Sequence, residues 1–321
     1  MPKRAWLILI ALLFALLLPA EDRGDLPLDW PLFRRDLARS GLAPGRGQIT
    51  VPVKKWELPL RGLAEPSPAI GDIDGDGTLE VVAGSYNGVY ALAGTTGTKR
   101  WEFPLEGPYE ISSPALGDID GDGSVEVILG SYDKKVYALN GQRGGIQWSY
   151  STGAKVWSSP ALADVDNDGR KEVIIASDRV YALNGTTGRP EWRFPLEIGT
   201  ISSPAVGDLD GDGELEVVIG ADDNRVYALR GSSGQEIWRF QLPLTGPRGY
   251  IEQSSPALGD FDGDGPLEVA VGVSERGVYL LDGSTGRARW FSPIPALIRS
   301  SPAIGDIDGD GHKEIVIGSN D

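Results

Sequence analysis

The chain of 321 residues contains no cysteine, one histidine and one methionine. Without cysteine there is no disulfide, no thiolate nucleophile and no cysteine to carry a lipid anchor. The single histidine, His312, lies inside an acidic loop described below, so no Ser/His/Asp or Cys/His set can be assembled. Beyond the first twenty residues no stretch has the 3.6-residue apolar period of an amphipathic helix. Positive charge is also scarce, with 30 Lys and Arg against 46 Asp and Glu, a formal net charge of −16. A nucleic-acid partner is therefore not expected, because phosphate binding requires a basic surface.

Glycine and proline are plentiful, at 44 and 23, so the chain turns often. Residues 1–20 combine the basic Lys3-Arg4 with an apolar run from Ala5 to Leu18. They predict a secretory signal peptide, and an exported location at the cell surface, in the periplasm or outside the cell. An uncleaved anchor is the alternative, although even the sixteen residues from Ala5 to Ala20 would reach only about 24 Å across a hydrocarbon core of about 30 Å. A leader at 21–50 and a repeat domain at 51–321 complete the expected organisation.

Six segments repeat in register. They begin SPAIGDIDGDGTLEVV at Ser67 and recur at Ser112, Ser158, Ser202, Ser254 and Ser300. The first loop aspartates are spaced by 46, 46, 44, 52 and 46 residues. Each full copy continues with a VYAL-type run and a Gly-bounded turn leading to tryptophan, at Trp101, Trp148, Trp192, Trp238 and Trp290. Trp56 is an isolated copy of that last strand ahead of the first repeat. Four short β-branched runs per repeat predict an all-β fold, a β-propeller of four-stranded antiparallel blades. The count gives five complete repeats and a partial sixth, an incomplete ring that suggests continuation beyond Asp321. The recurring tryptophans are expected to fill the spaces between blades.

The loop between the first two strands of each repeat places acids at positions 1, 3, 5 and 9 and glycine at 6. Alternate side chains of a curled loop converge, and hard oxygens in that number suit Ca²⁺. The candidate ligands are Asp72, Asp74, Asp76 and Glu80; Asp118, Asp120, Asp122 and Glu126; and Asp164, Asp166, Asp168 and Glu172. In the later repeats they are Asp208, Asp210, Asp212 and Glu216; Asp260, Asp262, Asp264 and Glu268; and Asp306, Asp308, Asp310 and Glu314. The backbone carbonyl at position 7 is the expected fifth donor, from Thr78, Ser124, Arg170, Glu214, Pro266 and His312. This is not an EF-hand, because position 12 is apolar in every copy, as at Leu129 and Ile219. Asp-Gly turns are common in loops, but ordinary turns do not require a Glu on the next strand in every copy. These 24 acids are more than half of the 46, and one Ca²⁺ per loop would bring the net charge from −16 to −4. Calcium is thus expected to take the place of disulfides as the staple.

These D-x-D-x-D-G-x-x-E loops, followed by EVVIG-type strands, resemble the FG-GAP and VCBS repeats, including those of integrin α-subunit propellers. Those repeats commonly close the loop with Asp, where this chain has Glu. The later strands, such as VYALNGTTGRPEW, are similar to pyrroloquinoline-quinone-type propeller repeats. Residues Asp29 to Asp36, DWPLFRRD, resemble the leader that precedes such propellers. The resemblance implies a calcium-binding propeller and, through the integrin-like repeats, surface adhesion.

The expected role is a binding or scaffold module for a protein or glycan. The alternatives are a propeller enzyme, either a quinone-dependent dehydrogenase or a polysaccharide-degrading enzyme, and an envelope-assembly scaffold, which the missing lipid-anchor cysteine weakens. Partner contacts are expected on the face opposite the acidic loops, at Tyr109, Trp157, Arg248, Tyr250 and Arg299. Arg23-Gly24-Asp25 spells an integrin-ligand tripeptide but sits just after the signal segment and is read as chance.

Overall fold

The computed structural model describes residues 32–40, 53–60, 66–105, 110–242 and 254–320. The signal segment, Arg23-Gly24-Asp25, Tyr109, Arg248 and Tyr250 lie outside the described residues. Every element among the described residues is a β-strand. Blade one is β1 (Ala69–Gly71), β2 (Glu80–Ser85), β3 (Gly88–Ala93) and β4 (Lys99–Pro104). Blade two is β5 (Ala115–Gly117), β6 (Glu126–Ser131), β7 (Lys135–Asn140) and β8 (Ile146–Ser151). Blade three is β9 (Ala161–Ala163), β10 (Glu172–Ala176), β11 (Arg179–Asn184) and β12 (Pro190–Pro195). Blade four is β13 (Ala205–Gly207), β14 (Glu216–Ala221), β15 (Arg225–Arg230) and β16 (Glu236–Gln241). Blade five is β17 (Ala257–Gly259), β18 (Glu268–Val273), β19 (Gly277–Leu281) and β20 (Ala288–Pro293). A two-stranded sheet, β21 (Ala303–Gly305) and β22 (Glu314–Val316), forms the partial sixth.

Each blade is an antiparallel meander in sequence order, as the strand count predicts. The first strands of successive blades touch, β1 to β5 and onward to β21, so they form the inner edge of the propeller. The second and third strands are buried along nearly their whole length, which explains their continuous runs of Val, Ile and Ala. The fourth strands alternate, with only the tryptophan deeply buried.

Tryptophan couples each blade to the next. Nε1 of Trp101 donates to Gly141 O, Trp148 to Gly185 O, Trp192 to Gly231 O and Trp238 to Gly283 O, each at 2.6 Å. Trp56 donates to Gly94 O at 2.9 Å and so does for blade one what the other tryptophans do for later blades. Trp290 departs from the expected burial and is 43% exposed, unlike the four buried blade tryptophans at 8%. Aromatic pairs add to these interfaces, for example Phe194 against Tyr227 with ring centroids 5.3 Å apart. The Ser-Ser-Pro signature also acquires a role. The second serine accepts from the serine N–H one blade earlier, as Ser203 Oγ does from Ser159 N and Ser255 Oγ from Ser203 N.

Part of the leader belongs to the core. Val206 N, Leu258 N and Ile304 N, on the inner strands of three consecutive sheets, donate to Leu37 O, Ala38 O and Ser40 O. Inner-strand edges would otherwise present unpaired backbone groups. Arg39 is fully buried there. Its guanidinium donates to the carbonyls of Phe33, Ser159, Pro160 and Pro204 at 2.7–3.1 Å. Burial lowers its pKa to about 9, which leaves it charged at neutral pH. Arg34, Arg35 and Arg39 all have positive φ, a strained path imposed by this position.

Candidate metal centres

The acidic loops join the first and second strands of each sheet, and their own backbone shapes them. In the first, Gly75 N and Gly77 N donate to the two oxygens of Asp72 at 2.7 and 2.9 Å, and Thr78 N donates to Asp76 Oδ1 at 2.8 Å. The bonds to the first aspartate recur at Asp118, Asp208, Asp260 and Asp306, while the position-7 bond recurs from Ser124, Glu214 and His312 but not from Pro266, which has no N–H. Loop position 4 needs a left-handed backbone, with φ of 75° at Gly75. The third loop fills it with Asn167 at φ 59°, the residue type that tolerates that region best after glycine.

The closing glutamate is the structural hinge of each loop. Glu80, Glu126, Glu172, Glu216 and Glu268 stand at the first position of their second strand and are buried. One oxygen accepts the backbone N–H at loop position 2, from Ile73, Ile119, Val165, Leu209 and Phe261 at 2.9–3.3 Å. Glu314 makes the equivalent bond to Ile307 N at 2.7 Å on the exposed partial sheet. Donor oxygens of Asp72, Asp74 and Glu80 lie within 4.8 Å of one another, as do those of Asp164, Asp166 and Glu172, and those of two further Asp-Asp-Glu sets. In the second loop Asp118, Asp120 and Asp122 form the cluster. These clusters could hold a metal ion, and their donors are the hard oxygens that suit Ca²⁺.

Burial, together with neighbouring aspartates, acts on the glutamates. It raises Glu126 and Glu216 to about 7 and Glu172 to about 8, against the backbone hydrogen bond that opposes it. The other oxygen of Glu172, Oε1, is buried with no hydrogen-bond partner. A carboxylate oxygen buried without a donor is costly, and a cation at the cluster removes that cost. The residues therefore fit a hard divalent ion. His312 is exposed, and its backbone N–H donates to Asp310 Oδ1 at 2.8 Å.

The opposite end of the blades carries the other expected contacts. Trp157, before β9, is 42% exposed and packs on Tyr132 with ring centroids 4.2 Å apart. Lys155 Nζ stands 4.7 Å from the Tyr132 ring centre. Beside them lies a cavity of about 150 Å³ lined by Glu110, Ser112, Ser113, Tyr132, Trp157 and Ser159, among others. Arg299 is exposed but precedes β21, three blades from Trp157, so the two do not form one patch. Lys155, Tyr132 and Glu110 were not legible as a group, because they come from three separate loops.

Fold and loops together define a repeat β-propeller with acidic inter-strand loops. The chain belongs to the PQQ_2 family, described as outer membrane protein assembly factor BamB, whose model matches residues 150–310, half of its length. FG-GAP-like repeats match residues 72–129 and 118–175. No curated protein sequence matches the chain. Among solved structures, the biofilm matrix protein Bap1 of V. cholerae superposes with a TM-score of 0.54 at 22% identity, over 71% of this chain and 39% of that one. A europium-containing methanol dehydrogenase gives 0.62 at 13% identity, over 84% and 58%. The quinohemoprotein alcohol dehydrogenase ADHIIG of Pseudomonas putida HK5 gives 0.55 at 16%, over 83% and 48%. The chain thus spans well under two thirds of each of these proteins, and at such identities the likeness is one of fold. Among the described residues no helix is long and apolar enough to cross a membrane.

Proposed function

We propose that this chain is an exported, calcium-stapled β-propeller that serves as a binding scaffold, with its contact surface on the face opposite the acidic loops. The observation that carries this reading is the buried glutamate that joins the acidic cluster in blades one, three, four and five, most clearly Glu172 with its unpartnered oxygen. Calcium supplies a fixed double positive charge to each loop that binds it and takes no part in chemistry. Extracellular calcium modules bind with Kd of about 10⁻⁴–10⁻³ M, so millimolar calcium adds about 0.5–1.5 kcal/mol per site. Summed over several loops this is comparable to the stability of a domain.

A scaffold role is supported by membership of a family described by an assembly factor and by similarity to a biofilm matrix protein. The inner-strand face is lined by the chain's own segment Leu37 to Ser40. A substrate approaching along the inner strands would meet that segment, which favours a surface contact over an axial active site. On the opposite face, the exposed ring of Trp157 beside Glu110, Ser112 and Ser113 offers a stacking surface next to hydrogen-bonding groups. That combination suits a sugar ring, so a glycan is the proposed partner class.

The test is a glycan array probed with the calcium-loaded protein, the W157A variant and the protein in EDTA. Specific binding that falls at least about tenfold in W157A, and is lost in EDTA at a temperature where the apo-protein melts, supports the reading. Binding indifferent to both Trp157 and calcium, or no glycan bound at all, overturns it.

A further inference from the structure

The fourth strand of each blade contains one residue that the ladder does not pair. In blade one Ala91 pairs with Trp101 and Leu92 with Lys99, so Arg100 is the extra residue of a β-bulge. The same shift in register leaves out Gln147, Glu191, Ile237 and Arg289 in blades two to five. A bulge re-aims a side chain, and here it brings Arg100, Gln147 and Arg289 against the acidic loops of their blades.

What it delivers differs from blade to blade. Arg100 Nη2 stands 3.1 Å from Asp76 Oδ2, 3.5 Å from Glu80 Oε1 and 3.8 Å from Asp74 Oδ2, within reach of three of the loop's acids at once. Arg289 pairs with Asp262, and its Nη2 lies 3.0 Å from Glu268 Oε1. In blade two the neutral Gln147 donates to Glu126 Oε1 at 3.0 Å. In blade three the position is acidic, and the Glu191 charge acts with the loop aspartates on Glu172. In blade four Ile237 offers no polar group.

We propose that Arg100 and Arg289 are built-in cations that close the first and fifth loops without metal, so that calcium is taken selectively by the second, third, fourth and sixth loops. This rests on the reading of the acidic clusters as calcium sites. The guanidinium sits among the carboxylates where a divalent ion would go, and two like charges cannot share that space without loss of affinity. Arg100 and Arg289 keep 40% and 32% side-chain exposure, so calcium can displace them, but only at higher concentration. The third loop, with an added acid and an unpartnered buried oxygen, is the tightest. The sixth has no guanidinium paired to it among the described residues. The sheets are thus pinned by calcium at blades two, three and four and at the partial sixth, and by arginine at blades one and five.

Isothermal titration of the full chain with calcium reads this directly. Wild type is expected to bind four ions tightly, with any further binding at least about tenfold weaker. R100Q/R289Q is expected to bind six tightly. E191R, at an exposed position, transplants the guanidinium and is expected to reduce four to three. Six equal sites in wild type, or an R100Q/R289Q variant with unchanged stoichiometry, overturns the proposal while leaving calcium binding intact. If neither protein binds calcium, the underlying reading of the loops fails as well.

Discussion

Glu172 concentrates the physics of these loops in one side chain. It is buried, holds the Val165 N–H with one oxygen and leaves the other without a partner. Its carboxyl is raised to about 8 from an ordinary value near 4.5, and Glu126 and Glu216 are raised to about 7. A carboxyl whose folded pKa is raised favours the fold while protonated, and that benefit disappears as pH climbs through the folded value. In EDTA the melting temperature is therefore expected to fall as pH rises from about 5 to about 8. In excess calcium the trend reverses, because the ion binds the ionised carboxylates and competes with protons. E172Q keeps the acceptor for Val165 N–H and removes the charge. It is expected to stabilise the metal-free protein by about 1–2 kcal/mol at pH 8 and to weaken calcium binding at that loop. Thermal melts of wild type and E172Q with and without calcium check both signs; destabilisation in EDTA would contradict the account.

At the scale of elements, the turn between the third and fourth strands explains why the Gly-x-x-Gly pattern and tryptophan recur together. Gly188 has φ of 67°, and a Cβ there would lie 2.5 Å from the Trp148 ring of the preceding blade. Its neighbour Gly185 accepts the Trp148 N–H. Glycine is thus required twice, by the left-handed backbone and by close approach of the indole. G188A is expected to cost about 2–4 kcal/mol through backbone strain and a displaced ring. An exposed loop glycine with open space around it, such as Gly145, sets the baseline. Urea unfolding with unchanged slope and a lowered midpoint for G188A, against little change for G145A, is the expected result.

For the whole molecule, the segment Leu32 to Ser40 binds blades that are far apart in sequence. Arg39 joins carbonyls from residues 159, 160 and 204 to its own segment. R39M fills similar volume but leaves those acceptors buried without a donor, at about 1–3 kcal/mol for each one that cannot find water. A loss of at least about 3 kcal/mol is expected, and R39K, a single point donor in place of a planar fork, recovers only part of it. A chemical unfolding series across wild type, R39K and R39M measures this. Near-wild-type stability of R39M would show that the segment rests on the propeller without holding it.

Repetition made much of this legible in advance. Short runs of Val and Ile between Gly and Asp turns specify strands, and six copies in register specify blades and acidic loops, because each signal is local and recurs. The tryptophans were readable as inter-blade filler for the same reason, with Trp290 the exception at 43% exposure. Other features depended on distance across the fold. Nothing local marks Arg39 as buried, since three of its four carbonyl partners lie more than a hundred residues away. Nothing local marks Arg100 and Arg289 as occupants of acidic loops 20 or more residues earlier, because only the bulge beside each tryptophan turns them that way. Short-range chemistry fixed the blade and its loop; which cation faces each loop, and what lines the inner strands, was settled only when the packed blades brought remote side chains within reach.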